Sequence, residues 1–73
     1  MGTLGAADFT EAHLEHAEFI GAYLVGALLA EAHLRGADFD GANLNCADLQ
    51  SADIRGALFH GADLSSAKNV TQW

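Results

Sequence analysis

The stretch Ala37-Asp38-Phe39-Asp40-Gly41, followed directly by Ala42-Asn43-Leu44-Asn45-Cys46, contains two copies of the unit from which nearly the whole chain is built. Each copy has alanine, a polar residue, a large apolar residue, a variable residue and often glycine. Alanine recurs at every fifth position from Ala7 to Ala67, thirteen times in all. A large apolar residue stands two positions after each of the first twelve alanines, so the chain is an internal repeat with a period of five.

A period of five fits neither an α-helix nor a flat strand. Five helical residues turn through about 500°, so each apolar residue is displaced by about 140° from the last and no fixed apolar stripe forms. In a strand, the alternating spacings of two and three send successive apolar residues to opposite faces. A chain that turns a corner every five residues keeps both apolar positions inward, and its glycines are expected at the corners, where backbone freedom is needed.

Four such sides close a coil of twenty residues, so residues twenty apart stack on neighbouring coils. A three-sided coil of fifteen residues would mix Phe19 with Leu34 and Leu49. At a spacing of twenty the sequence predicts two pure core stacks: Phe19, Phe39 and Phe59, and Leu4, Leu24, Leu44 and Leu64. We therefore predict an all-β fold, a four-sided parallel β-helix of about three coils spaced about 4.8 Å apart.

The repeat resembles the pentapeptide-repeat family, whose pattern is alanine, Asp or Asn, leucine and two variable residues. The matches are Ala-Asp-Phe at 7–9 and 37–39, Ala-Asn-Leu at 42–44, Ala-Asp-Leu at 47–49 and 62–64, and Ala-Asp-Ile at 52–54. The resemblance implies a right-handed quadrilateral β-helix, here over residues 3–67. The Asp or Asn is replaced at six positions: His13, Glu18, Tyr23, Leu28, His33 and Leu58.

Residues 68–73 depart from the repeat and are expected to form a C-terminal tail or the start of a cap. Val70 and Trp73 would cover the last coil as an apolar lid. Alternatively, Thr71 is the N-cap of a helix that begins there.

Composition limits the classes of function. The 73 residues include ten Asp and Glu against three Lys and Arg, for a net charge of −7 with histidine neutral. Such a surface argues against direct contact with nucleic acid, whose phosphates need basic partners. A single cysteine gives no disulfide framework, no signal-peptide pattern is present, and no apolar stretch is long enough to span a bilayer. No membrane contact is predicted, and a cytoplasmic location is favoured.

Few residues point to chemistry. The sequence contains no Ser-His-Asp set, no paired buried carboxylates and no phosphate-binding glycine loop, so neither an enzyme nor a cofactor is predicted. His13 stacks over His33 with His16 at the nearby corner, and such a set can hold a transition metal. An ordinary charged ladder explains the same side, and we therefore predict no metal; its cross-strand pairs are Glu15 with Arg35 and His33 with Asp53.

Apolar residues at outward positions give the predicted interaction surface. Single exposed apolar side chains are common, whereas a contiguous group marks a binding surface. The predicted patch consists of Ile20, Tyr23, Val25, Leu28 and Leu58. The predicted function is a non-enzymatic structural or protein-interaction solenoid, with any self-association through this patch or through the unpaired coil ends. The alternative, implied by the family resemblance, is an acidic DNA mimic that inhibits a type II topoisomerase such as gyrase.

Overall fold

Three square coils are stacked in the computed structural model, which describes residues 6–68; the coils occupy 7–26, 27–46 and 47–66. Nine parallel β-bridges join residues that are twenty apart, from Asp8–Leu28 to Asp48–Lys68. Each side carries one bridge residue between turns, and within 6–68 there is no helix and no longer strand. The predicted four-sided coil of twenty residues is therefore confirmed.

The four sides are numbered here in chain order and are joined by backbone hydrogen bonds. Side 1 is 7–11, 27–31 and 47–51; side 2 is 12–16, 32–36 and 52–56; side 3 is 17–21, 37–41 and 57–61; side 4 is 22–26, 42–46 and 62–66. On side 1, the N–H of Leu28 donates to the Ala7 carbonyl at 2.8 Å, and the Leu28 carbonyl accepts the N–H of Phe9 at 2.7 Å. The same ladder recurs on the other sides and ties successive coils together.

The core consists of the alanine and the large apolar residue of each unit. The predicted phenylalanine stack is confirmed, with ring centroids of Phe19 and Phe39 5.0 Å apart, those of Phe39 and Phe59 5.2 Å apart, and the rings nearly parallel. In the leucine stack, Leu24 and Leu44 are completely buried and Leu64 packs against them half-buried. No polar or charged side chain is buried within residues 6–68.

Each side ends at a corner residue with a positive φ, between 58° and 73°. The N–H of the next alanine donates back across the corner, as from Ala22 to the Phe19 carbonyl at 3.0 Å. Glycine occupies six of these corners, as the sequence predicted, because side chains make the left-handed region costly. The other seven corners carry side chains all the same: Ala6, Glu11, His16, Glu31, Cys46, Ser51 and Ser66.

Some predictions concern residues near the two ends of the chain, outside the described range of 6–68. These are the predictions for Leu4, Val70, Thr71 and Trp73. Lys68, placed in the tail by the sequence analysis, bridges Asp48, and its N–H donates to the Ala47 carbonyl at 2.8 Å. The ladder therefore continues to the last described residue. The described part of the chain contains no helix with the length and apolar character needed to cross a membrane.

Candidate functional site

Aspartate and asparagine at the second position of the unit hydrogen-bond to the backbone of their own side. The Oδ1 atom of Asp38 accepts the N–H of Asp40 at 3.0 Å, and that of Asn43 accepts the N–H of Asn45 at 3.1 Å. This bond is an Asx turn, in which the side chain holds the N–H two residues later. Every Asp or Asn at this position within residues 6–68 makes it: the other four are Asp8, Asp48, Asp53 and Asp63.

These caps were not predicted from the sequence, where the second position was interpreted only as a surface position. The signal was present in the restriction of the repeat to Asp or Asn, the two residues that form Asx turns. Their carboxylate and amide groups therefore stabilise the corner.

One continuous run of sides lacks the caps. We call residues 12–36 the uncapped segment; its second positions are His13, Glu18, Tyr23, Leu28 and His33. The N–H groups of Ile20, Val25 and Ala30 find no acceptor among residues 6–68. By contrast, residues 37–56, the capped segment, carry an Asx turn on each of their four sides.

At Leu58 the cap comes from the neighbouring coil. Leucine offers no acceptor for the N–H of His60, and the Oδ1 atom of Asp40 accepts it instead at 2.8 Å. The backbone of Asp40 is itself held in place, because its N–H donates to Asp38 Oδ1. The N–H of His60 on the side that exposes Leu58 therefore has an acceptor, unlike the N–H groups of Val25 and Ala30 on the sides of Tyr23 and Leu28.

The predicted apolar patch is spread over three sides. Ile20 lies on side 3, Tyr23 and Val25 lie on side 4, and Leu28 lies on side 1. Ile20 is 54% exposed, Tyr23 45% and Leu28 41%, and we call these three the apolar girdle. Val25 is half-buried. Leu58, 51% exposed, stands apart on the third coil, because Asp38 lies between it and Glu18 in the bridge order.

The girdle has an acidic rim. Leu28 forms bridges with Asp8 on one side and Asp48 on the other, and Glu18 lies two residues before Ile20. Hydrogen bonds from the Thr10 hydroxyl and N–H lower the pKa of Asp8, which is therefore ionised at neutral pH. The surface thus combines apolar side chains with negative charge beside them.

Side 2 gathers three side chains of metal-binding type. The rings of His13 and His33 stack with centroids 4.3 Å apart and planes 7° apart. Glu15 Oε2 lies 3.6 Å from His13 Nδ1, and one ligand atom from each of the three residues lies within 4.8 Å of the others. His16 takes no part in this group, because its ring lies over Gly36, with Nδ1 2.5 Å from where a Cβ on Gly36 would stand.

Arg35 pairs with Asp53, and the predicted pair with Glu15 is wrong. Arg35 Nε donates to Asp53 Oδ2 at 3.0 Å, and Arg55 Nη2 donates to the same atom at 2.7 Å. Hydrogen bonds from Arg55, and then from Arg35, hold the pKa of Asp53 well below its usual range. Glu15 lies beside the two histidines. A hydrogen bond from its own N–H lowers the pKa of the Glu15 carboxyl most, and the nearby His13 and His33 lower it further.

Comparison with known proteins points to one family. The family model described as "Pentapeptide repeats (8 copies)" matches residues 7–45 and 42–68. HetL, a pentapeptide repeat protein involved in heterocyst differentiation regulation from the cyanobacterium Nostoc sp. strain PCC 7120, is 33% identical over 97% of this chain, with a TM-score of 0.90. Rfr23, a pentapeptide repeat protein from the cyanobacterium Cyanothece 51142, is 27% identical over 92% of this chain, with a TM-score of 0.78. No curated protein sequence gives a significant match.

These solved structures are longer than the present chain, which spans 33% of HetL and 52% of Rfr23. QnrB1, a plasmid-mediated fluoroquinolone resistance protein, is 22% identical over 84% of this chain and 37% of its own, with a TM-score of 0.54, and shows the fold alone. The matches to HetL and Rfr23, with the bridges at a spacing of twenty, confirm the right-handed quadrilateral β-helix.

Proposed function

The chain belongs to the pentapeptide-repeat family, and on that basis we propose that it is a non-enzymatic structural module that binds another protein through its uncapped segment. One observation carries the proposal: the exposed girdle of Ile20, Tyr23 and Leu28 coincides with the run of sides that lacks Asx caps. The N–H groups of Ile20, Val25 and Ala30 add hydrogen-bond donors beside the apolar side chains. An interface needs both kinds of group.

The positions of the polar side chains support a non-enzymatic role. Catalysis requires polar groups that converge on one sheltered place. In residues 6–68, the inward positions carry alanine and large apolar residues, and the Asp and Asn side chains of the second position hold backbone N–H groups. The Asp and Asn side chains of the second position therefore stabilise the corners of the coil.

The proposed partner carries apolar side chains flanked by lysine or arginine. The apolar part would contact Tyr23 and Leu28, and the basic part would face Asp8 and Asp48, the bridge partners of Leu28. The net charge of −7 attracts such a partner over about 10 Å at 0.1 M ionic strength. We expect binding to weaken as salt is added, because the rim is exposed to solvent.

A double variant of the girdle tests this function. Tyr23→Ser with Leu28→Ser removes two exposed side chains, so the fold should persist while capture of partner proteins from the native host falls. Leu58→Ser is the control for Leu28→Ser, because it removes a leucine of similar exposure outside the girdle and should leave capture unchanged. A double variant that captures the same proteins in the same amounts as the unmodified chain would rule out the girdle as the contact.

Self-association can use the girdle or the unpaired edges of the coil ends, and the same variant separates the two. Sedimentation velocity of the unmodified chain gives the mass in solution. If the chain associates and the double variant is monomeric, the girdle is the contact. If the double variant keeps the same mass, the contact is assigned to the coil ends, because any strand edge left open there would favour pairing with another chain.

The DNA-mimic alternative has no comparably specific support. The described residues extend 22 × 20 × 19 Å, the length of about six base pairs at 3.4 Å each. We expect an excess of the protein to leave DNA supercoiling by gyrase unchanged; inhibition would restore this alternative.

A further inference from the structure

We propose that His13, Glu15 and His33 on side 2 form a binding site for a divalent transition-metal ion, with zinc as the best fit. The three residues supply two imidazole nitrogens and one carboxylate oxygen, all within 4.8 Å of one another. Two histidines and one glutamate are a zinc ligand set, and three protein ligands leave the fourth tetrahedral position to water. The assignment is independent of the proposed protein contact, because side 2 does not carry the girdle.

To bind the ion, the three side chains must rotate so that their ligand atoms approach one another, and the two nearly parallel rings must tilt, because the lone pair of each nitrogen lies in the plane of its ring. Zinc–ligand distances of about 2.0–2.2 Å in a tetrahedron place neighbouring ligand atoms about 3.3–3.6 Å apart. Separations of up to 4.8 Å must therefore shrink by up to about 1.2–1.5 Å. All three residues are exposed, so the rotation breaks chiefly the stacking contact between the two rings. The stacked rings already bring His13 and His33 to the same place on successive coils.

The surrounding charges leave the three ligands available. Asp53 continues the ladder below His33, but Arg35 and Arg55 occupy its carboxylate. Glu15 makes no ion pair with Arg35; its carboxylate accepts a hydrogen bond from its own N–H and lies 3.6 Å from His13 Nδ1. An ionised glutamate beside two imidazoles is thus the feature of side 2 that a cation fits best.

The ion would join two coils. His13 and Glu15 belong to the first coil and His33 belongs to the second, so one ion bridges residues twenty apart in the chain. The unfolded chain does not hold this arrangement, and a ligand that binds the folded state alone stabilises that state. The bridge lies in the uncapped segment, where the corners lack Asx turns.

Calorimetric titration with zinc chloride at near-neutral pH tests the site. We use a Cys46→Ser background, because the exposed Cys46 thiol is itself a zinc ligand. One saturable ion per chain is expected. The variants His13→Ala, Glu15→Gln and His33→Ala should each weaken binding about tenfold or more, since each removes a ligand.

Two other histidines are the matched controls. His16→Ala changes a histidine of the same side that faces Gly36, and His60→Ala changes one on side 3; both should bind zinc as tightly as the background chain. Circular dichroism should show the same fold in every variant, because the replaced side chains are exposed. The proposal is overturned if no saturable heat is seen, or if a control variant loses as much affinity as the ligand variants.

Discussion

The uncapped segment (12–36) and the capped segment (37–56) share one core and differ in how their corners are held. Leu24 and Leu44 are equally buried, and the residues before them, Tyr23 and Asn43, are partners in one bridge. Asn43 accepts the N–H of Asn45, whereas the N–H of Val25 has no acceptor in the described part of the chain. Inward residues therefore determine the coil, and the residue at the second position determines whether the backbone of its side is capped or an apolar side chain is exposed, as at Tyr23 and Leu28.

The largest predicted effect tests the shared core. Leu24→Ala and Leu44→Ala should each lower the free energy of unfolding by about 2–5 kcal/mol, because each leaves a cavity in a close-packed stack. Urea denaturation followed by circular dichroism measures both. We expect similar losses in the two segments. A loss confined to one of them would mean that the segments do not share a single core.

The next largest change in the free energy of unfolding is expected from zinc, which would bind in the uncapped segment. At a free concentration 100 times its dissociation constant, zinc should raise the free energy of unfolding by about 2.7 kcal/mol, by mass action on the folded state. The Glu15→Gln chain at the same zinc concentration is the control and should gain much less. An equal gain in that variant would place the stabilising ion elsewhere.

Changes to the Asx caps should alter the free energy of unfolding by less than zinc does and by more than acid does. Asn43→Ala should cost about 1 kcal/mol, the typical net contribution of one hydrogen bond. Tyr23→Asn should have the opposite sign, gaining up to about 1 kcal/mol by capping the N–H of Val25, while partner binding falls. Tyr23→Ala separates the two effects, since it removes the contact without adding a cap. A Tyr23→Asn chain no more stable than Tyr23→Ala would refute the role assigned to the cap.

The smallest expected effect is a loss of folding stability at acidic pH. Hydrogen bonds from Ser65, its side chain first and then its N–H, lower the pKa of Asp63. A folded pKa below the unfolded value of about 3.9 means that the stabilisation is present above that pH and is lost as the pH falls through the folded pKa. Asp63→Asn keeps an amide oxygen for the cap and should flatten the fall in stability below about pH 4. An unchanged acid profile would show that Asp63 contributes nothing to it.

The sequence predicted the features that repeat and missed those that depend on local side-chain geometry. Register and core stacks follow from the spacing of alanine and leucine, because only one coil length keeps Phe19, Phe39 and Phe59 together. The Asx turns were missed because they depend on the direction of an N–H two residues away.

On side 2, too, the feature that follows from the repeat was predicted and the feature that depends on side-chain direction was not. The stacking of His13 on His33 follows from the register and is confirmed. The choice of Arg35 between Glu15 and Asp53 depends on which way a long side chain extends, and the spacing does not determine it. The turn of His16 over Gly36 and the partial burial of Val25 are likewise set by neighbours at the corners.

The bond between Asp40 and the N–H of His60 has an evolutionary consequence. Because a cap can be delivered from the preceding coil, a chain that already has Asp40 can lose the Asp or Asn at position 58 and still fold. Asp40 thus allows an apolar residue at position 58 without leaving the N–H of His60 unpaired. Positions 40 and 58 should therefore covary among relatives, and their substitutions should affect stability non-additively.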